Sequence, residues 1–141
     1  MSKLAQKICL IGMLGMASHA LATRSIPDVQ TIGSQPLGIM KTTQQQLTPR
    51  LTLDALEAGN QRFMKSDDRQ YDYMKAAKYT AKNGQFPSAL VFSCMDSRSI
   101  PEILFNQNIG SIFTLRMAGN VLDENSLASI CLLYTSDAAD D

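Results

Sequence analysis

The feature that most constrains the fold is one short apolar run, SALVFSC, at residues 88–94. Pro87 precedes this run, and polar residues follow it from Asp96 onward. An apolar run of this length between turn residues is typical of a strand buried on both faces, as in a parallel sheet. Ser99 and Glu102 form a capping box after the run, which predicts a short helix there. A strand that leads directly into a helix is typical of α/β proteins.

Further segments continue this alternation on both sides of the run. Apolar residues at helical spacing predict helices over residues 52–65 and 70–82. Residues 111–116 predict a second strand, and Asp123 or Asn125 is placed to cap a last helix through residue 130. The apolar stripes predicted to face the core are Leu53, Leu56, Phe63 and Met64 in the first helix, and Tyr71, Met74, Ala77 and Ala81 in the second. The sequence therefore predicts an α/β fold with a parallel β-sheet core flanked by helices.

The first 22 residues have the pattern of a cleaved secretory signal. Lys3 and Lys7 precede an apolar run that is too short to span a bilayer, and small residues lead up to Ala22. Cleavage after Ala22 would remove the single histidine, His19. Residues 23–50 show no helical or strand periodicity, which predicts a flexible lead-in. We expect a periplasmic or secreted protein with no membrane attachment after cleavage.

Charge and composition exclude several classes of partner. Thirteen Lys and Arg residues balance thirteen Asp and Glu residues, so no basic surface favours nucleic acid. The apolar fraction of 45% is that of an ordinary globular protein rather than a disordered one. Cleavage of the signal would remove Cys9 and leave two cysteines, Cys94 and Cys131, which are too few for a disulfide framework. We therefore expect a globular domain without a nucleic-acid partner.

The residues that can carry chemistry follow the apolar run as Cys94-Met95-Asp96-Ser97-Arg98. Side chains at i and i+2 of extended backbone point the same way, so Cys94 and Asp96 can converge on one point. A thiolate and a carboxylate are both zinc ligands, and the guanidinium of Arg98 suits a two-bond clamp on a carboxylate. The residues alone leave an alternative open, in which Cys94 is a buried small hydrophobe and Asp96 caps a helix.

Motif residues occur in a fixed order on both sides of this segment. They are Gly59-Asn60-Gln61-Arg62-Phe63, Gly84-Gln85-x-Pro87, Cys94-Met95-Asp96-Ser97-Arg98, Pro101-Glu102, Phe105, Gly110, Phe113, Arg116 and Ala118-Gly119-Asn120. Over residues 51–130 this order resembles the first half of the β-class carbonic anhydrases. The resemblance implies a homodimer or higher oligomer that uses Zn²⁺ to interconvert carbon dioxide and bicarbonate.

The resemblance also implies roles for individual residues. Cys94 would be a metal ligand. Asp96 would either orient the attacking nucleophile by a hydrogen bond or move onto the metal in a resting form, and Arg98 would be the partner that draws Asp96 away. For Arg116 two interpretations stay open: it faces the cleft, or it positions the dimer or the loop.

The family pattern ends after about Ile130. Carbonic anhydrases of this class complete the zinc site with a downstream His-x-x-Cys, whereas residues 131–141 resemble translated sequencing adapter, and Cys131 comes too early to be the missing ligand. Zinc takes four ligands in such sites, so Cys94 and Asp96 supply half of one. We expect an incomplete and inactive piece of a carbonic anhydrase. The alternative is a non-catalytic, carbonic-anhydrase-like binding or interaction module that lacks the metal.

Overall fold

The computed structural model describes residues 27–32 and 35–135. The expected signal at residues 1–22, including His19, and the end of the expected adapter-like tail lie outside the described residues. In chain order the elements are α1 (Val29–Ile32), α2 (Lys41–Gln44), α3 (Pro49–Met64), α4 (Tyr73–Asn83), β1 (Leu90–Cys94), α5 (Pro101–Leu104), β2 (Phe113–Met117) and α6 (Glu124–Thr135), with a 3₁₀ turn at Ala118–Asn120. The predicted α/β class is confirmed.

The two strands form one parallel sheet. Leu90 pairs with Phe113 and Cys94 pairs with Met117, so both strands end at the same edge of the sheet. Each strand begins slightly later than the sequence predicts. Every residue of β1 is half-buried, whereas the apolar run predicted a fully buried strand. The difference arises because, in the part of the chain that the structure describes, β1 pairs with a single neighbouring strand.

Helix α3 packs through small residues rather than through the predicted large ones. Its buried residues are Thr52, Ala55 and Gly59. Leu53 is 47% exposed and Met64 is 69% exposed, so the predicted stripe was wrong for these residues. A Cβ added at Gly59 would lie 1.8 Å from the carbonyl oxygen of Phe105, just after α5. Because the two backbones approach so closely, small side chains occupy the contact face, and a count of apolar residues misses them.

In helix α4 the buried residue is also a small one. Ala76 is its buried residue, whereas Met74 of the predicted stripe is exposed. Asp72 caps the helix, because its carboxylate accepts a hydrogen bond from the Lys75 backbone N–H at 2.9 Å. Gly84 ends it at φ 82°, a backbone conformation that favours glycine. The predicted end of this helix at the Asn-Gly pair is confirmed.

The described part of residues 23–50 is packed against α3, although the sequence predicts a flexible lead-in there. Ile32 is 2% exposed, and it forms a core cluster with Ile39 and Ala55. The buried Asn108 side chain donates a hydrogen bond to the Pro36 carbonyl at 2.9 Å. Isolated apolar residues in irregular backbone fill this part of the core, and periodicity analysis does not detect such residues.

The helices after β1 differ from their predicted starts and ends. Ile100 occupies the position before α5 and no side chain caps that helix, so the predicted Ser99–Glu102 capping box was wrong. Asp123 does cap α6, since its carboxylate accepts from the Ser126 backbone N–H at 2.7 Å. Helix α6 continues past Ile130 to Thr135. Within residues 27–32 and 35–135, no helix is long and apolar enough to cross a membrane.

Candidate active site

The candidate site is the loop of residues 94–98, which leaves the sheet at the edge where β1 ends. Cys94 is the last residue of β1, and the Met95 backbone N–H extends the strand pairing by donating to the Met117 carbonyl at 3.2 Å. The chain then turns, and the Asp96 backbone N–H donates to the Cys94 sulfur at 3.4 Å. The structure thus places the Asp96 backbone against the Cys94 sulfur, while the Asp96 carboxylate turns toward Arg98. Convergence of the two side chains on one point stays a prediction. This edge of a parallel sheet is where α/β proteins place ligands.

The Cys94 thiol lies in a setting that favours its thiolate form. Hydrogen bonds from the backbone N–H groups of Asp96 and then Gly119 lower the pKa of the Cys94 thiol below its usual value. Its side chain is half-buried, so the alternative of a fully buried small hydrophobe does not hold. A thiolate is both the nucleophilic and the metal-binding form of cysteine. The lowered pKa makes the thiolate form of Cys94 easier to reach than in a free cysteine.

Asp96 and Arg98 form a clamp through both carboxylate oxygens. The Arg98 Nε donates to Oδ1 at 3.0 Å and Nη2 donates to Oδ2 at 2.8 Å. The Arg98 backbone N–H adds a third bond to Oδ1 at 2.9 Å. These hydrogen bonds from Arg98 lower the pKa of Asp96 to about 2. The carboxylate thus stays ionised and is held toward Arg98, which itself is 87% exposed.

The same geometry excludes the alternative in which Asp96 caps helix α5. Ile100 stands at the cap position of α5, and the Asp96 side chain bonds to Arg98 instead. The Asp96 backbone carbonyl accepts from the Ser99 N–H at 2.9 Å and closes the loop. Asp96 therefore shapes the loop and presents its carboxylate to Arg98, without capping a helix.

Arg116 lies on β2 and reaches across to the loop. It stands opposite Ser93 in the sheet register. Its Nε donates to the Cys94 carbonyl at 3.1 Å, and its Nη2 donates to the Asp96 carbonyl. Of the two interpretations left open by the sequence, the structure favours contact with the loop. The parallel register was the signal that links this residue to the site, and it is not visible before the strands are paired.

The carbonic anhydrase family model matches residues 89–136, a range that contains β1, the site loop and β2. The Cys94-Met95-Asp96-Ser97-Arg98 segment and Arg116 both fall inside this match. Over these residues the chain is similar to the carbonic anhydrases. The sequence resemblance is thereby confirmed for the segment that carries the site.

Three curated carbonic anhydrases extend this finding. Carbonic anhydrase 2 of Mycobacterium tuberculosis is 38% identical over 76 residues, which are 54% of this chain and 37% of that protein. A carbonic anhydrase of Mycolicibacterium smegmatis is 40% identical over 76 residues, with the same shares. Beta carbonic anhydrase 1 of Caenorhabditis elegans is 40% identical over 43 residues, 30% of this chain and 16% of that protein. The chain therefore spans little more than a third of the length of the first two.

The carbonic anhydrase family is generally zinc-dependent, so the donor set of the loop has to be tested against that metal. Cys94 fits a zinc ligand in chemical type, since its pKa is lowered. Asp96 is an oxygen donor, but Arg98 engages both of its oxygens. Among the described residues no three His, Cys, Asp or Glu side chains gather closely enough to hold a metal ion. The loop thus offers zinc a sulfur donor from Cys94 and an oxygen donor from Asp96 that is already hydrogen-bonded to Arg98.

Proposed function

We propose that the protein to which this chain belongs is a zinc-dependent carbonic anhydrase that interconverts carbon dioxide and bicarbonate. The observation that carries the proposal is the Asp96–Arg98 clamp beside a thiol of lowered pKa, inside the family match. Bound zinc supplies Lewis acidity that lowers the pKa of water to about 7 and so provides a nucleophile at neutral pH. The further zinc ligands are not among the described residues.

Each residue of the loop then has a defined task. Cys94 provides a thiolate donor to the metal. Arg98 holds the Asp96 carboxylate through both of its oxygens, and a carboxylate with a pKa of about 2 stays an acceptor at neutral pH. An ionised carboxylate beside the reacting water accepts its hydrogen bond and orients it toward carbon dioxide. Without the Arg98 clamp, the Asp96 carboxylate would be free to act as a further ligand, which would favour a resting form.

The test compares two substitutions in the full-length protein. Cys94→Ser removes the proposed thiolate ligand, whereas Thr114→Val changes an exposed position on β2. We expect the unmodified protein and Thr114→Val to hold one zinc per chain and to hydrate carbon dioxide in stopped-flow assays. Cys94→Ser should lose zinc and turnover together. Cobalt substitution adds a readout besides activity, because a thiolate-to-cobalt absorption band should be present in the control and absent in Cys94→Ser.

The same measurements separate the proposed enzyme from the non-catalytic alternative. A full-length protein that folds and contains neither zinc nor turnover would favour a carbonic-anhydrase-like binding or interaction module. A full-length protein whose natural sequence downstream of Ile130 has no His-x-x-Cys pair would point the same way. Equal zinc content in Cys94→Ser and Thr114→Val would exclude Cys94 as a ligand.

Two further parts of the proposal concern location and assembly. We propose that residues 1–22 direct export to a periplasm or outside the cell, on the pattern of Lys3 and Lys7, the apolar run and Ala22. Amino-terminal sequencing of the mature protein should then begin at Thr23. We also propose a homodimer or higher oligomer, which the exposed apolar residues Val121 and Leu122 suit. A monomer in sizing experiments on the full-length protein would contradict this second part.

A further inference from the structure

Arg116 makes two hydrogen bonds to the site loop, one to the peptide group before and one to the peptide group after the Met95–Asp96 peptide. Arg116 Nε donates to the Cys94 carbonyl, which belongs to the peptide between residues 94 and 95. Its Nη2 donates to the Asp96 carbonyl, which belongs to the peptide between residues 96 and 97. The peptide between residues 95 and 96 lies between these two held groups. Its N–H is the one that donates to the Cys94 sulfur.

We propose that Arg116 is a positioning residue. It orients the Asp96 backbone N–H toward the Cys94 sulfur and fixes the position of the Asp96 Cα, from which the side chain extends. It does so from the neighbouring strand and without touching either side chain's reacting atoms. The expected effect of Arg116 on catalysis rests on the proposed function. Its effect on the backbone of residues 94–96 does not depend on that function.

The chemistry of arginine explains why this residue type suits the task. A guanidinium is a planar fork with fixed donors, so one side chain binds two carbonyls at once and holds their relative orientation. Lysine carries a single ammonium on a flexible stem, so it can reach one carbonyl without fixing the second. Met95, between the two held peptides, is exposed and adds no packing that would hold the loop in place of Arg116.

Arg116→Gln and Arg116→Lys test the proposal against Thr114→Val, a change at an exposed position on the same strand. The first readout is hydrogen exchange at the Asp96 amide in the full chain. We expect exchange to be at least tenfold faster in Arg116→Gln, intermediate in Arg116→Lys and unchanged in Thr114→Val. The second readout is carbon dioxide hydration by the full-length protein, where kcat should fall at least tenfold in Arg116→Gln, with KM within twofold and partial rescue by lysine.

The outcomes separate this proposal from the proposed function. If the wild type shows no turnover, the proposed function fails, and the exchange rates still decide the role of Arg116. If Arg116→Gln does not fold, the wild type provides the answer, because the Arg116 Nε–H should exchange more slowly than that of Arg50, an exposed side chain on α3. Equal exchange of these two groups would overturn the proposal. Unchanged Asp96 exchange in a folded Arg116→Gln would overturn it as well.

Discussion

The helical layer and the site loop are held in place by different forces. In the helical layer, formed here by α1, α3 and α5 with residues 35–40, side chains such as Ile32 and Ala55 are buried and backbones approach closely at Gly59. In the loop of residues 94–98, side chains are half-buried or exposed, and hydrogen bonds from Arg98 and Arg116 fix the shape. Burial therefore supplies stability in the first region, whereas directional polar bonds supply geometry in the second.

The largest expected loss of stability follows from a substitution at Gly59, where the backbone of α3 contacts the backbone of Phe105. Gly59→Ala places a Cβ within 1.8 Å of the Phe105 carbonyl oxygen, so α3 and the chain after α5 must move apart. We expect the free energy of unfolding to fall by more than about 3 kcal/mol, at the upper end of the cost of overpacking. Urea denaturation followed by circular dichroism measures this change.

The matched control for that change is Gly119→Ala, close to the site loop. A Cβ there meets nothing within 4 Å, but φ is +62°, a conformation that alanine adopts at a cost of about 1 kcal/mol. The pair thus compares crowding with backbone strain alone. A larger loss in Gly119→Ala than in Gly59→Ala would contradict the close packing of the helical layer.

The second prediction concerns the core contributed by the amino-terminal segment. Ile32→Ala removes a side chain that is 2% exposed, and we expect the protein to lose about 2 kcal/mol of stability. Leu127→Ala on α6 removes a side chain that is 50% exposed, and it should change stability by less than about 0.5 kcal/mol. Thermal melts of both variants provide the measurement. Equal melting temperatures would show that residues 27–32 do not pack on α3 in solution.

The smallest expected effect on stability lies in the site loop and depends on pH. The pKa of Asp96 is about 2, below its ordinary value of 3.8, because Arg98 binds the ionised form. A depressed folded-state pKa stabilises the protein above the unfolded value, and this stabilisation is lost as the pH falls from about 4 toward 2. In Arg98→Gln the pKa of Asp96 should rise part of the way toward 3.8, because the backbone N–H of residue 98 and the charge of Arg116 remain. The pH dependence from this group should become smaller.

Nuclear magnetic resonance of the Asp96 carboxyl carbon during an acid titration measures this pKa directly. Arg50→Gln is the control, since Arg50 pairs with Asp54 at 2.9 Å on the surface of α3, away from the loop. That variant should leave the Asp96 titration unchanged. A wild-type midpoint near the ordinary value would show that the clamp does not form in solution.

The sequence predicts the elements and the local chemistry of the site better than it predicts the packing. The apolar run before Cys94 and the spacing of Asp96 and Arg98 are local, so a strand followed by a carboxylate–guanidinium clamp can be derived from adjacent residues. The loop contact of Arg116 depends on which strands pair and in what register, which no local pattern specifies.

Packing faces were the part that sequence reasoning missed, for a related reason. Gly59 and Ala76 lie at contacts because neighbouring backbones are close, and closeness is a property of the assembled fold. Periodicity gives weight to large apolar residues such as Leu53, which is exposed here. The contribution of Ile32 and Ile39 was missed because single residues in irregular backbone have no period to detect.

The hydrogen bond from Asn108 to the Pro36 carbonyl has a practical consequence for shortened versions of the protein. A chain cut to begin at residue 51, where the family resemblance starts, would lose that acceptor and uncover Ala55. A buried amide left without its partner costs about 1 to 3 kcal/mol, in addition to the apolar surface exposed. We therefore expect soluble expression to require a start no later than Pro27, upstream of the segment that alignment alone would retain.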